Sequence, residues 1–240
     1  MNSMKNRRVL VTGASSGIGA ATARTLHQAG ARVAAGARRT DRLTGDLRLS
    51  LDVTDEVSVR AAVDAVVTEF GGLDLVVNAA GIMPLGPVLG ADVTDWRRCL
   101  DTNVLGLMLV THAALPHLAR AAGQGGTADI VNIASVGGRE TFPGSSAYNA
   151  SKWAVVGFSE ALRKEISPAG VRVSLVEPGF TDTELPASIT DDTIRASIED
   201  LVAGQKNLDS DEVAAAIAYI TGQPAHVLIN QLQVRPVSQL

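Results

Sequence analysis

The chain has a single cysteine, few aromatic residues and no long apolar run. Cys99 is alone among 240 residues, which excludes an internal disulfide framework and is typical of a reducing, cytoplasmic compartment. Only 3% of the residues are aromatic while 46% are hydrophobic, so we expect a core of Ala, Val, Leu and Ile. The apolar run Val9-Leu10-Val11, after the basic amino end, is too short for a signal segment or a membrane span.

The charge pattern and the spacing of Cys and His exclude two further classes of protein, those that bind nucleic acid and those that bind a metal ion. With a formal net charge of -4 and dispersed Arg and Lys, the chain lacks the basic footprint of a nucleic-acid-binding protein. One Cys and scattered His offer no metal-ligand spacing. No linker, repeat or low-complexity tract interrupts the chain, so residues 1–240 are expected to form one domain.

Short β-branched runs alternate with longer Ala- and Leu-rich patterns, which predicts strand-helix-strand units and a parallel sheet. The predicted strands are Arg8–Thr12, Arg32–Ala37, Leu47–Val53, Leu73–Asn78, Asp129–Ile133, Arg172–Glu177 and Leu232–Val234. The predicted helices are Gly17–Ala29, Val57–Phe70, Trp96–Ala119, Ala147–Ile166 and Asp211–Thr221. Because several strands are almost continuously apolar, helices must cover both faces, and the predicted fold is an α/β, doubly wound parallel sheet.

The segment 181–207 fits this alternation poorly. It is longer and more polar than an ordinary connection, so it is either a substrate loop or a surface helix with two loops.

Tyr148 and Lys152 lie four residues apart in a predicted helix, so their side chains should be neighbours. An ammonium close to a phenol favours the phenolate, and at about 4 Å the attraction is worth roughly 4 kcal/mol at an effective dielectric near 20. We therefore expect Lys152 to lower the pKa of Tyr148, so that Tyr148 exchanges protons near neutral pH. Ser135 follows an apolar strand upstream and is the next candidate.

A glycine-rich turn follows the first predicted strand and opens the first helix. It comprises Gly13, Ser15, Ser16, Gly17, Ile18 and Gly19. Glycines let the backbone approach a pyrophosphate, and the helix N-terminus supplies free N–H groups. The spacing Gly-x-x-x-Gly-x-Gly is one residue longer than the usual dinucleotide fingerprint, but its strand-turn-helix context predicts a dinucleotide site.

The end of the second strand indicates which dinucleotide binds. It carries Arg38 and Arg39, with no acidic residue before Asp41. An acid at this place suits the ribose of NAD, whereas an arginine suits a 2′-phosphate. The sequence therefore favours NADP(H).

Two further strand ends should face the same cleft. Asp52 and Val53 close the third strand, and Asp52 is placed to accept from the adenine amino group. Asn78, Ala79 and Gly81 close the fourth and are expected to form the turn beneath the cofactor.

These motifs, together with Asn103 and Pro178-Gly179, occur in an order that resembles the short-chain dehydrogenase/reductase family over nearly the whole chain. The resemblance implies a Rossmann-like domain, a small carbonyl or alcohol substrate, and a homotetramer or homodimer. It also implies a catalytic tetrad of Asn103, Ser135, Tyr148 and Lys152.

The resemblance further implies individual roles. Tyr148 would transfer the proton, Lys152 would bind the nicotinamide ribose, and Ser135 would hydrogen-bond the substrate oxygen. Asn103 would hold a water. Pro178 and Gly179, with Thr181 and Thr183, would contact the nicotinamide.

Within the family, the segments 81–88, 101–108 and 177–185 resemble the clavulanate dehydrogenase subgroup, which implies NADPH-dependent reduction of an aldehyde or ketone. The end of the chain, Leu232-Gln233-Val234-Arg235-Pro236, lacks the Asp-Gly-Gly typical of 3-oxoacyl carrier-protein reductases. Met83, Phe142, Phe180 and Leu185 flank the catalytic positions and are either an apolar substrate wall or core residues.

Two rival functions remain to be weighed. A serine hydrolase built on Ser135 is disfavoured, because the surrounding residues do not form a Gly-x-Ser-x-Gly elbow and no histidine is arranged as its partner. A catalytically silent NADP-binding sensor or scaffold is the alternative, since a fold does not fix a function. The complete tetrad favours the enzyme.

Overall fold

The computed structural model describes residues 4–204 and 206–239. Its strands are β1 Arg8–Thr12, β2 Arg32–Ala37, β3 Leu47–Ser50, β4 Leu75–Asn78, β5 Ala128–Ile133, β6 Val171–Pro178 and β7 Gln231–Val234. Its α-helices are α1 Gly17–Gln28, α2 Glu56–Phe70, α3 Val93–Leu100, α4 Leu107–Gly123, α5 Ser146–Ile166, α6 Asp192–Ala203 and α7 Ser210–Thr221.

All seven strands lie in one parallel sheet of order β3-β2-β1-β4-β5-β6-β7. Successive side chains of a strand point to opposite faces. Thus Leu10 packs with α2, α4 and α5 on one face, and Val9 and Val11 pack with α1 and α7 on the other. The predicted doubly wound, Rossmann-like sheet is confirmed.

Most predicted boundaries agree with the structure within two residues, but β3 is shorter than expected. It ends at Ser50 rather than Val53. The Asp52 carboxylate accepts from the backbone N–H and the hydroxyl of Thr54, at 3.0 and 2.8 Å. Such local bonds compete with the ladder of a sheet, so they turn the chain away after β3.

The helix predicted over Trp96–Ala119 was wrong in its bounds and in its regularity. It begins at Val93, where Asp92 caps it by accepting from the Thr94 N–H, and it continues to Gly123. A π-helical turn, Asp101–Gly106, separates α3 from α4. Such turns have no sequence periodicity of their own and are frequent at functional sites.

By length and composition alone, the continuous helix Val93–Gly123 is apolar enough to cross a membrane. In the fold, however, Val110, Ala114 and Leu118 are buried against the sheet and α2. Its central part is therefore a core helix of this domain.

The segment 181–207 contains the surface helix that the sequence allowed, and part of the segment lines a cleft. A short 3-10 turn, Leu185–Ser188, precedes the surface helix α6. Leu185 and Ser188 line the cleft described below.

Candidate active site

A large cleft of about 1470 Å³ opens at the carboxyl ends of the parallel strands. It lies beside β1 and β4, where the strand order reverses, which is where doubly wound sheets bind ligands. The glycine turn, the arginines after β2 and the tyrosine of α5 all line it. Its volume exceeds that of an ordinary single-ligand pocket and leaves room for a dinucleotide and a substrate.

The glycine turn forms a cradle whose backbone is packed too closely for larger residues at Gly13 and Gly19. Gly13 and Gly17 have φ of 64° and 52°, which glycine adopts without strain. A Cβ on Gly13 would lie 2.7 Å from the backbone of Ala80, and one on Gly19 would lie 2.4 Å from the Gly13 carbonyl oxygen. Ser16, at the N-cap of α1, makes no side-chain cap hydrogen bond. The Ser16 hydroxyl therefore does not cap the first backbone N–H groups of α1. A phosphate site requires these N–H groups to be uncapped.

Thr12, which sequence reasoning missed, connects this turn to the end of β4. Its buried hydroxyl accepts from the backbone N–H groups of Ala79 and Ala80, at 3.1 and 3.2 Å. A threonine immediately before the glycine turn was the available signal. Its bonds hold the turns after β1 and β4 against each other beneath the cleft.

The arginines after β2 line the cleft beside the glycine turn. Arg39 Nη2 is 3.0 Å from the Ser16 hydroxyl and 3.3 Å from that of Ser15. Arg38 is exposed and close enough to Asp52 to contribute to its electrostatics. Burial raises the pKa of Asp52, but hydrogen bonds from Thr54 and the nearby Arg38 outweigh it and leave that pKa below its ordinary value. Asp52 is therefore ionised at neutral pH.

Tyr148, Lys152 and Ser135 line the same cleft, as their order in the sequence predicts. The Ser135 hydroxyl lies close enough to that of Tyr148 to act on the pKa of the phenol. Lys152 Nζ lies 5.7 Å from the centre of the Tyr148 ring and donates to the Ile133 carbonyl at 3.0 Å. The Ser135 hydroxyl also accepts from the Gly137 N–H at 3.0 Å, which fixes its orientation.

The expected lowering of the pKa of Tyr148 was wrong. Burial raises the pKa of Tyr148 to about 12, although the Ser135 hydroxyl opposes the rise. Burial likewise lowers the pKa of Lys152 from 10.5 to about 8. Both groups share an environment that disfavours charge, so desolvation sets the direction of both shifts. Tyr148 is a neutral phenol at pH 7, which is the form that can donate a proton.

Asn103 lies in the π-helical turn and holds the chain after β4 in place. Its amide accepts from the Ile82 N–H and donates to the Ile82 carbonyl, both at 2.8 Å, and donates to the Ser151 hydroxyl at 3.0 Å. A Cβ on Gly81 would lie 3.3 Å from Asn103 Oδ1 and 3.9 Å from Lys152 Nζ. Asn103 and Lys152 thus both lie near Gly81, but the Asn103 side chain is 2% exposed and is not among the residues that line the cleft.

Asn78 differs from the other predicted cofactor residues, because the structure places its side chain in the core. It is 3% exposed, donates to Asn132 at 2.9 Å and to Thr111 at 3.2 Å, and does not line the cleft. The buried amide joins β4 to β5 and α4. Ala79 and Gly81, which follow it, do line the cleft.

The segment after β6 completes the cleft. Pro178, Gly179, Thr181 and Thr183 line it, as do the four apolar residues Met83, Phe142, Phe180 and Leu185. The Phe180 N–H donates to Gln239 Oε1 at 2.8 Å, so the end of the chain holds this segment. Within residues 4–204 and 206–239, no group of three or more His, Cys, Asp or Glu side chains is placed to hold a metal ion.

Comparison with known proteins agrees with this geometry. The short chain dehydrogenase family profile matches residues 7–194. Sulfoacetaldehyde reductase 2 of Chromohalobacter salexigens is 38% identical over 242 residues, covering 96% of this chain and 94% of the relative. An uncharacterized oxidoreductase of Staphylococcus saprophyticus is 34% identical over 250 residues, covering 100% and 99%. The solved structure of a closed serine dehydrogenase with NADP+ superposes with a TM-score of 0.89 at 32% identity, covering 97% of this chain and 96% of that one.

Proposed function

Since the chain belongs to the short-chain dehydrogenase family of oxidoreductases, we propose that it is an NADP(H)-dependent enzyme that reduces an aldehyde or ketone to an alcohol, or catalyses the reverse. One observation carries the proposal. A buried, protonated phenol beside a serine lines the same cleft as a glycine cradle and two arginines.

The residues present fit a dinucleotide. The cradle of Gly13, Gly17 and Gly19 and the N-terminus of α1 would hold its pyrophosphate. Arg38 and Arg39 would hold a 2′-phosphate, because guanidinium groups bind phosphate through paired hydrogen bonds. The serine dehydrogenase structure with NADP+ supports this choice of cofactor. The bound dinucleotide supplies the hydride.

The chain's own residues would then manage the proton. In the reducing direction, Tyr148 donates its phenolic proton to the substrate oxygen as negative charge develops there, and Ser135 donates a hydrogen bond to the same oxygen. Lys152 places a positive charge beside the resulting phenolate. A phenol whose pKa is about 12 keeps its proton until the substrate oxygen becomes strongly basic. Asn103 positions the loop after β4 that borders this pair.

An assay of NADPH oxidation against aldehydes and ketones tests the proposal. The panel should contain sulfoacetaldehyde, because a relative carries that substrate in its name. Each active substrate should be run with NADH as well. If the chain binds NADPH tightly but turns over no substrate, the hypothesis of an enzyme fails and that of a sensor or scaffold is favoured.

The proposal includes membership of the clavulanate dehydrogenase subgroup and assembly into an oligomer. The relatives described above carry names other than clavulanate dehydrogenase. A homotetramer or homodimer is supported by apolar side chains exposed on α4, α5 and the turn between α3 and α4, namely Leu105, Met108 and Trp153. Light scattering of the purified chain measures the oligomeric state.

A further inference from the structure

Glu184 joins the two sides of the cleft through a pair of arginines. Its Oε2 lies 2.8 Å from Arg39 Nη2, and its Oε1 lies 2.8 Å from Arg42 Nη1. The arginines follow β2, whereas Glu184 follows β6 and precedes the Leu185–Ser188 turn. Each carboxylate oxygen thus has its own guanidinium donor.

One of these donors belongs to the proposed phosphate site. Arg39 also contacts the hydroxyls of Ser15 and Ser16 in the glycine turn. Guanidinium groups bind carboxylate and phosphate through the same planar arrangement of N–H donors. The hydrogen bond from Arg39 keeps the pKa of Glu184 below its ordinary value, so the carboxylate is charged at neutral pH. A carboxylate therefore occupies donors that a phosphate would need.

We propose that Glu184 is an internal competitor for the 2′-phosphate, so that NADP(H) breaks the Glu184 ion pairs and loosens the turn 184–188, whereas NAD(H) leaves them intact. This inference rests on the proposed binding of NADP(H) at Arg38 and Arg39. It makes Glu184 a residue that sets cofactor preference and couples the choice of cofactor to the substrate side of the cleft.

The segment 183–188, which contains this turn, contacts two parts of the cleft. A Cβ on Gly17 would lie 3.0 Å from Thr183 Cγ2, so Thr183 packs on the glycine turn. The Ser188 hydroxyl accepts from the Met83 N–H at 2.7 Å, beside the proposed substrate wall. Leu185 lines the cleft between them. Release of Glu184 would therefore alter the surroundings of the substrate as well as those of the phosphate.

The ion pairs are weak enough for a ligand to displace. The side chains of Arg39, Arg42 and Glu184 are 46%, 49% and 49% exposed, respectively. Exposed ion pairs of this kind are individually weak, whereas a phosphate monoester carries close to two negative charges at pH 7. We expect removal of the Glu184 charge to raise affinity for a 2′-phosphate by about fivefold.

Calorimetry on Glu184→Gln tests the competition without any turnover. The probes are 2′,5′-ADP and 5′-AMP, which differ by the 2′-phosphate, followed by NADPH and NADH. The variant should bind 2′,5′-ADP and NADPH about fivefold more tightly than the wild type, with 5′-AMP and NADH unchanged. Glu160→Gln is the matched control, because Glu160 also pairs with two cations, Arg163 and Lys164. This control substitution should alter none of the four affinities.

Hydrogen exchange provides a second readout on the turn 184–188. In the wild type, 2′,5′-ADP should increase its exchange and 5′-AMP should not, whereas Glu184→Gln should show the faster exchange with no ligand. Suppose that the wild type prefers 2′,5′-ADP to 5′-AMP, but that Glu184→Gln binds 2′,5′-ADP no more tightly than the wild type and exchanges no faster. This result overturns the competition by Glu184 and leaves the proposed cofactor preference standing. A wild type that binds both probes equally overturns the proposed cofactor preference, and the competition with it.

Discussion

Replacing Lys152 with methionine should make the folded chain more stable at pH 7 while it abolishes turnover. Lys152 is 7% exposed, and burial lowers its pKa from 10.5 to about 8. At about 1.4 kcal/mol for each tenfold change in proton affinity, holding this ammonium in the fold costs about 3 kcal/mol. Loss of its hydrogen bond to the Ile133 carbonyl offsets about 1 kcal/mol of that. We expect a net gain of about 2 kcal/mol in the free energy of unfolding.

The gain should depend on pH in a defined direction. The folded pKa of Lys152 lies below its unfolded value, so the cost is fully present below about pH 8. It disappears as the pH rises from about 8 to about 10.5, where the unfolded chain also releases its proton. Near pH 10.5 only the lost hydrogen bond remains, and the variant should then be about 1 kcal/mol less stable than the wild type. Tyr148 is present in both chains, so its own ionisation largely cancels in the comparison.

Urea unfolding followed by circular dichroism measures the difference at a series of pH values. Lys164→Met is the control, because that side chain lies in the same helix but is 67% exposed, and its effect should stay within about 0.5 kcal/mol. A Lys152→Met chain that is less stable than the wild type at pH 7 refutes the argument that the buried ammonium is held at a cost.

Three other substitutions test the site. Tyr148→Phe should lower turnover at least about a hundredfold and leave NADPH affinity nearly intact, and unchanged turnover excludes Tyr148 as the acid. Arg38→Ala should weaken NADPH binding by about tenfold and NADH binding far less; an equal loss for both excludes its phosphate role. Gly19→Ala should abolish cofactor binding, because its Cβ would lie 2.4 Å from a carbonyl oxygen, whereas Gly157→Ala, with no atom within 4 Å of its Cβ, should bind normally. If calorimetry finds the same cofactor affinity for Gly19→Ala and Gly157→Ala, the glycine cradle is not the binding site for the cofactor.

The amino-acid sequence alone determined the local features of this protein. Apolar runs such as Val9-Leu10-Val11 predicted the strands, and the glycines after β1 predicted a close backbone approach, because each depends on neighbouring residues. The four-residue spacing of Tyr148 and Lys152 placed both on one helix face for the same reason. The parallel sheet followed from the alternation of such elements.

Only the tertiary structure decided which of these residues are buried and what they meet. Burial reversed the expected direction of the pKa of Tyr148 and placed the Asn78 amide in the core. Glu184 meets Arg42 although 142 positions separate them, and no periodicity encodes such a pair. Local patterns report the conformation of a segment, whereas desolvation and long-range ion pairs depend on how the segments pack.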